Sequence, residues 1–148
     1  MSKRIQLFKF FRMGASDRQL LIMTLIILAT IRLGLWLIPF HTLLKVLAKI
    51  SRDRLKVTNP VSVRKISCSV NAVSRYMPGV KCLARALTTQ VLMSRYGHSC
   101  ELRIGVAKGE KGTLEAHAWV EYQGLIVIGN LTDLSRFMPL PSLQGVKL

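Results

Sequence analysis

The hydrophobic period of this chain changes once, near Gly97, and this change limits the folds that are open to it. Before Gly97 apolar residues recur at helical spacing, and after it they alternate with polar residues. The alternation predicts strands over residues 100–107, 114–122 and 125–128. The sequence therefore predicts an α+β fold, with a helical N-terminal half followed by a helix that packs on a small antiparallel sheet.

Four helices are predicted before the strands. They cover residues 20–38, 41–50, 60–76 and 82–96, and the third has Asn59 as its N-cap and Pro60 at its first position. A basic amphipathic segment precedes them at residues 1–16. The polar run at residues 51–56 is the expected boundary between a basic, apolar helical region (1–58) and a core region (59–148).

The apolar segment at residues 20–38 is long enough to cross a membrane and is equally suited to a protein interior. Its twelve Leu and Ile residues would each favour insertion by about 0.3 to 0.6 kcal/mol, whereas a central Arg32 opposes it by about 2.5 to 3.5 kcal/mol. Both outcomes stay open. If the segment associates with a membrane, it attaches a cytoplasmic protein to the inner face of the plasma membrane.

Most of the positive charge lies in the first half of the chain. The formal net charge is +15, and residues 1–65 hold thirteen Lys or Arg against two Asp. A basic front half attracts anionic lipid or an acidic protein. No nucleic acid is expected as a partner, because the sequence lacks the motifs of nucleic-acid-binding modules. Three cysteines at irregular spacing argue against a disulfide framework and favour a reducing cytoplasm.

Cys82 follows a helix-breaking Met-Pro-Gly-Val-Lys segment and lies in the first turn of the helix at 82–96. Free amides and the positive dipole at a helix N-terminus favour the thiolate, and Lys81 adds a positive charge. Cys82 is therefore the predicted nucleophile. Cys68 and Cys100 lack this setting and are interpreted as small buried apolar residues.

His117 lies in the second predicted strand and is the predicted base for that nucleophile. If Gln123-Gly124 is a two-residue turn, counting outward along the hairpin places His117 opposite Asn130 on the same face of the sheet. Asn130 would then orient the imidazole as the third member of a Cys-His-Asn triad. Asp133 lies three residues beyond that register and ranks second.

Four side chains near these residues are given no catalytic role. Strand alternation puts Trp119 and Glu121 on the His117 face, where they either line a groove or form a packed tryptophan beside an exposed glutamate. Arg85 and Arg95 are interpreted as solvated helix residues. The sequence has no CxxC or HxxxH spacing, so neither a metal nor another cofactor is expected.

The motifs around these residues resemble a known family. The order of helix-start cysteine, strand histidine and next-strand Asn or Asp resembles the transglutaminase-like branch of the papain-like cysteine peptidases. More narrowly, the segments CLARAL, LRIGVAKG and AHAWVEYQG are similar to the leader peptidase of lasso-peptide biosynthesis, the protease half of the B protein. The similarity extends along the chain and is most specific over residues 80–130.

The resemblance implies that residues 59–148 form a cysteine peptidase core, which removes the leader from a ribosomally made precursor peptide. Its implied partners are the precursor, a separate leader-recognition protein and an ATP-dependent cyclase that closes the macrolactam. Carried over by motif, Cys82 is the nucleophile and His117 is the general base and acid. Asn130 is the orienting residue, at a position that most often holds aspartate in the family.

Two alternatives stay open at this point. Transglutaminases and arylamine acetyltransferases use the same triad to transfer an acyl group to an amine. A membrane-associated binding protein with an inert Cys82 is the alternative from outside the enzymes.

Overall fold

The computed structural model describes residues 9, 11–52 and 61–140. Within these residues four α-helices precede the strands in the chain: α1 (Ala15–Leu37), α2 (Phe40–Arg52), α3 (Val63–Tyr76) and α4 (Cys82–Arg95). The strands are β1 (Glu101–Lys108), β2 (Leu114–Tyr122), β3 (Leu125–Ile128) and β4 (Met138–Pro139). The predicted α+β class is confirmed.

Helix α3 begins three residues later than the sequence predicts. Val61 and Ser62 are not helical, and the side chain of Ser62 caps the helix by accepting the backbone N–H of Lys65 at 3.3 Å. Asn59 and Pro60, the predicted cap and first position, lie outside the described residues. Ser51 and Arg52 of the predicted linker are the last residues of α2, and the linker from residue 53 onward lies outside the described residues. Residues 1–8 and 10 of the predicted basic segment also lie outside them.

Helix α4 is the centre of the fold. It is buried from Ala84 almost without interruption to Met93 and contacts α1, α2, α3 and the three longer strands. Its buried Thr88 donates a hydrogen bond to the carbonyl of Ala84 at 2.7 Å, so this hydroxyl is satisfied within the helix. The first turn of α4 therefore has a fixed position relative to both the helices and the sheet.

The sheet is antiparallel, with the strand order β3-β2-β1-β4. Its helix-facing side contributes apolar side chains to the main core, among them Leu102, Ala118, Val120 and Ile128. Its other side carries a smaller cluster of Ala107, Trp119 and Phe137. Successive strand residues point to opposite faces, so His117 shares the face of Trp119.

Strand β4 was not predicted from the sequence. It pairs with β1 through Met138 and Pro139, and it follows Phe137, which covers the second face of the sheet. Gly105 in β1 permits this cover, because a β carbon there would lie 3.0 Å from the ring of Trp119 and 3.1 Å from Phe137.

Helix α1 packs on α3 and α4 along one face and exposes apolar side chains on the other. The buried face carries Leu20, Thr24, Leu28 and Ile31, whereas the exposed face carries Ile22, Leu25, Ile26, Leu33, Trp36 and Leu37. By length and composition α1 is able to cross a membrane. Arg32 reaches the loop before α4, where a β carbon on Gly79 would lie 2.9 Å from its guanidinium.

Replacing Leu28 with alanine should lower the free energy of unfolding by about 2 to 5 kcal/mol, because the side chain is fully buried and its loss leaves a cavity. Leu25→Ala is the matched control, since Leu25 is 48% exposed on the same helix. The control should change stability by no more than about 0.5 kcal/mol. Urea unfolding followed by circular dichroism measures both, and equal effects would contradict the packing of α1 on the core.

Candidate active site

Cys82 is the first residue of α4 and is half-buried. Lys81 is the N-cap, and no side chain caps this end of the helix. The first intrahelical bond runs from the N–H of Arg85 to the carbonyl of Lys81 at 3.3 Å. The backbone amides of Cys82, Leu83 and Ala84 therefore have no partner within the helix. Their N–H groups and the helix dipole favour negative charge on a substrate oxygen beside Cys82.

His117 is half-buried in β2, and its Nε2 lies 2.7 Å from the carbonyl oxygen of Gly129. Because a carbonyl oxygen can only accept a hydrogen bond, Nε2 carries the proton and donates. In the neutral ring Nδ1 then has a free lone pair, which is the form that a general base requires. The ring stacks on Trp119 at a centroid distance of 6.3 Å and lies 5.6 Å from Phe137.

The predicted pairing of His117 with Asn130 is wrong. The turn at residues 123–124 has two residues with positive φ, and Glu121 faces Ile126 as expected. One residue further from the turn, however, Val120 of β2 pairs with Ile128 and not with Val127, so Val127 is the extra residue of a β-bulge. The bulge shifts the register by one residue, and the acceptor of the His117 ring becomes the backbone of Gly129.

Gly129 is needed at this point for a steric reason. Its φ is +83°, and a β carbon there would lie 2.6 Å from the carbonyl oxygen of Ala118. A glycine has no β carbon and adopts positive φ without strain, so the chain can turn its carbonyl toward the imidazole. A Gly after a strand signals a bend, but no local pattern indicates which backbone oxygen the bend presents to the imidazole.

The two residues predicted as orienters have other positions. Asn130 is exposed and lines the same cleft as His117. Asp133 accepts a hydrogen bond from Nε of Arg136 at 2.6 Å, and the same arginine also pairs with Glu115. The hydrogen bond to Glu115, and secondarily that to Asp133, raise the pKa of Arg136. Asp133 is therefore engaged by Arg136.

A cleft of about 270 Å³ lies between the helices and β3. Asn71 of α3, Arg85 of α4 and His117 line it, together with residues 126–131. Arg85 is half-buried, so its interpretation as a solvated residue is wrong. Arg95 is also half-buried and donates to the carbonyl of Ile50 at 3.1 Å. The spacing of Arg85, one helical turn after Cys82, was the available signal for its position near the site.

His117 lines this cleft, whereas Cys82 is not among the described residues that line it. Cys82 packs against the main core on the helix-facing side of the sheet, whereas His117 contacts Trp119 and Phe137 on the other side. Among the described residues, neither nitrogen of the His117 ring forms a hydrogen bond with the Cys82 thiol. The structure thus brings Arg85 and His117 to one cleft and does not join the nucleophile to the base.

The remaining candidate side chains have structural roles. Trp119 is 4% exposed, and its indole N–H donates to Glu121 at 2.9 Å. Cys100 is buried as predicted, but Cys68 is exposed, so its interpretation as a buried residue is wrong. Burial, and secondarily the charge of Glu101, raise the pKa of the Cys100 thiol to about 12. Over the described part of the chain, no group of three His, Cys, Asp or Glu could hold a metal ion.

Neutral His117 should be found as the Nε2–H tautomer, because the Gly129 carbonyl accepts from that nitrogen. The ¹⁵N shifts of the imidazole measure the tautomer directly. Gly129→Ala should increase the Nδ1–H population and broaden or move these signals, since its β carbon collides with the Ala118 carbonyl. Asn130→Ala is the matched control and should leave them unchanged. The opposite pattern would restore Asn130 as the orienting residue.

Comparison with known families places this geometry in context. The family model described as the transglutaminase-like superfamily matches residues 25–142, which is most of the chain and includes Cys82, His117 and Asn130. Comparison with curated proteins and with solved structures gave no match. The matched domain indicates chemistry of the cysteine-peptidase or acyl-transfer type. By this match over most of its length, the protein belongs to the transglutaminase-like superfamily.

Proposed function

We propose that the protein is a cysteine peptidase that removes the leader segment from a ribosomally synthesised lasso-peptide precursor, before a separate enzyme closes the macrolactam. The observation that carries this proposal is Cys82, a half-buried thiol at an uncapped helix N-terminus, within a transglutaminase-like domain. The segments CLARAL and AHAWVEYQG, which resemble the leader peptidases, support the choice of substrate.

The reaction follows from the groups at this helix end. His117 first takes the proton of the Cys82 thiol, and the resulting thiolate attacks the scissile carbonyl carbon while the backbone N–H of Cys82 donates to the developing oxyanion. His117 gives a proton to the leaving amine as the C–N bond breaks, which leaves a thioester on Cys82. Water, deprotonated by His117, then attacks the thioester and releases the carboxylic acid and the thiol.

Cys82 and His117 must come into hydrogen-bond contact for this sequence of steps. In many enzymes the catalytic hydrogen bonds are long in the free protein and tighten only when substrate is bound. The cleft beside His117 also contains Arg85, one helical turn after Cys82, so a peptide bound there lies close to both reacting groups. We expect the precursor to complete the pairing.

The partners in this proposal are the precursor with its leader, a separate leader-recognition protein and the ATP-dependent cyclase that receives the product. The recognition protein holds the leader, and the peptidase then needs to recognise only residues near the cut. Cytoplasmic location agrees with three free thiols.

We also propose that α1 lies against the inner face of the plasma membrane and does not cross it. One side of the helix packs on α3 and α4 with Leu28 and Ile31 fully buried, contacts that a helix surrounded by lipid would lose. The other side exposes a continuous apolar stripe that includes Ile26 and Trp36, the latter 81% exposed. Basic residues in the first half of the chain add attraction to anionic lipid.

Cys82→Ala should abolish cleavage of the precursor in the presence of the recognition protein, because no thioester can form without the thiol. Mass spectrometry of the products tests this and separates the two superfamily chemistries, since hydrolysis adds water and transfer adds the acceptor amine. Cleavage by the alanine variant would overturn the assignment of Cys82. Cys68→Ala is the matched control and should cleave normally.

Thiol alkylation provides the companion control without substrate. At about pH 6.5 iodoacetamide should label Cys82 before Cys68, although Cys68 is the more exposed, because the helix N-terminus favours thiolate. Cys100 should stay unlabelled in the folded protein, since its raised pKa keeps it as the thiol well above that pH. Labelling of Cys68 first would favour the binding protein with an inert Cys82.

The protein should float with phosphatidylglycerol vesicles and bind phosphatidylcholine vesicles more weakly. Ile26→Glu should reduce binding to phosphatidylglycerol by about 10-fold, since it puts a negative charge in the apolar stripe. Leu125→Glu makes the same kind of change at an exposed leucine of β3, away from α1, and should bind as the unchanged protein does. Equal losses in both variants would contradict docking through α1.

A further inference from the structure

Arg85 occupies an unusual position for a cation. The cleft of about 270 Å³ beside His117 and a second cleft of about 430 Å³ share two lining residues, Asn71 and Arg85. The second cleft is completed by Ser74, Arg75 and Val80. Asn71 and Arg85 thus stand between the candidate catalytic histidine and a neighbouring space on the surface.

The guanidinium of Arg85 has no acidic partner in the described part of the chain. Its Nη2 donates to the side-chain oxygen of Asn71, and its Nε is buried without a hydrogen-bond partner. By contrast, Arg103 pairs with Glu101 at 2.8 Å and Arg136 pairs with Asp133 at 2.6 Å. A buried donor on a charged group costs free energy unless an acceptor reaches it. Because Arg85 also lines both clefts, an acceptor from outside the chain can reach it.

The side chains around Arg85 favour a negatively charged acceptor. Arg75 adds a second cation to the neighbouring cleft, and Ser74 has its hydroxyl occupied by the carbonyl of Asn71 at 2.9 Å. Among the residues that the structure describes, no Asp or Glu lines either cleft. A planar guanidinium with free N–H groups matches the two oxygens of a carboxylate better than it matches a single peptide carbonyl.

We propose that Asn71 and Arg85 form a carboxylate-binding subsite that makes the enzyme select peptides with an acidic group close to the scissile bond. The inference rests on the proposed peptidase function for its position, because Arg85 lies one helical turn from Cys82. The carboxylate comes from an Asp or Glu side chain or from a free peptide C-terminus. Asn71 is a positioning residue, which holds the guanidinium toward the cleft.

Binding can be measured independently of catalysis in the Cys82→Ala protein. Random decapeptides with blocked ends are selected by display against this variant, and enriched acidic peptides are synthesised with Glu or with Gln at the acidic position. The Glu peptide should bind about 10-fold or more tightly than its Gln counterpart, as expected for a charge-assisted pair. Enrichment of no acidic peptide, or of no peptide at all, overturns the proposal.

A double-mutant cycle separates a specific contact from general attraction to a chain of net charge +15. In Arg85→Gln the preference for Glu should fall to about 2-fold or less, because the partner charge is gone. Arg64→Gln removes an exposed arginine of α3 outside both clefts and should keep the full preference. Equal losses in the two variants would mean that only net charge matters, and would overturn the subsite.

Two further arms keep the result interpretable. Asn71→Asp offers Arg85 an internal carboxylate of nearly the same shape and should also abolish the preference for Glu, with the arginine still present. Peptides with a free C-terminus, compared with their amides, separate a terminal carboxylate from a side chain.

Discussion

The burial of α4 is the constraint on which the rest of this structure depends. Side chains from Ala84 to Met93 are almost all inaccessible to solvent, and they contact the other three helices and the sheet. Each large apolar side chain buried in this way contributes about 1.5 to 3 kcal/mol. Because a helix enclosed on all sides cannot rotate or slide without losing these contacts, its N-terminus is held in place, and with it Cys82.

The proposed nucleophile and base obtain their positions in different ways. Cys82 and Arg85 are fixed by the packing of one helix, so they move together if that helix moves. His117 is fixed on β2, an inner strand of the sheet, where a backbone oxygen and the rings of Trp119 and Phe137 surround the imidazole. The cleft beside β3 is the place where these two parts meet. In the proposed mechanism, substrate bound there contacts both parts at once and so controls whether the proposed nucleophile and base are aligned.

The sequence predicted the elements well because their signals are local. The change of hydrophobic period gave the α+β class, and the positions of β2, β3 and their turn followed from alternation and from Gln123-Gly124. The site was less accessible, since it depends on non-local geometry. A bulge at Val127 changes the cross-strand partner of every later residue, and no local sequence pattern predicts it. Arg85 is half-buried only because α3 and β3 lie beside it, which helix propensity cannot reveal.

The acceptor on the His117 ring is a main-chain oxygen, and this has a consequence for how the site tolerates genetic change. A side-chain orienter is lost by one substitution at its own position, whereas a carbonyl is present whatever the residue. Residue 130 is thereby released from chemical selection for an amide or acid. The constraint passes to residue 129, where only glycine satisfies both the backbone conformation and the contact with Ala118. Sensitivity to mutation follows the fold of the chain here, and the chemistry of the side chain matters less.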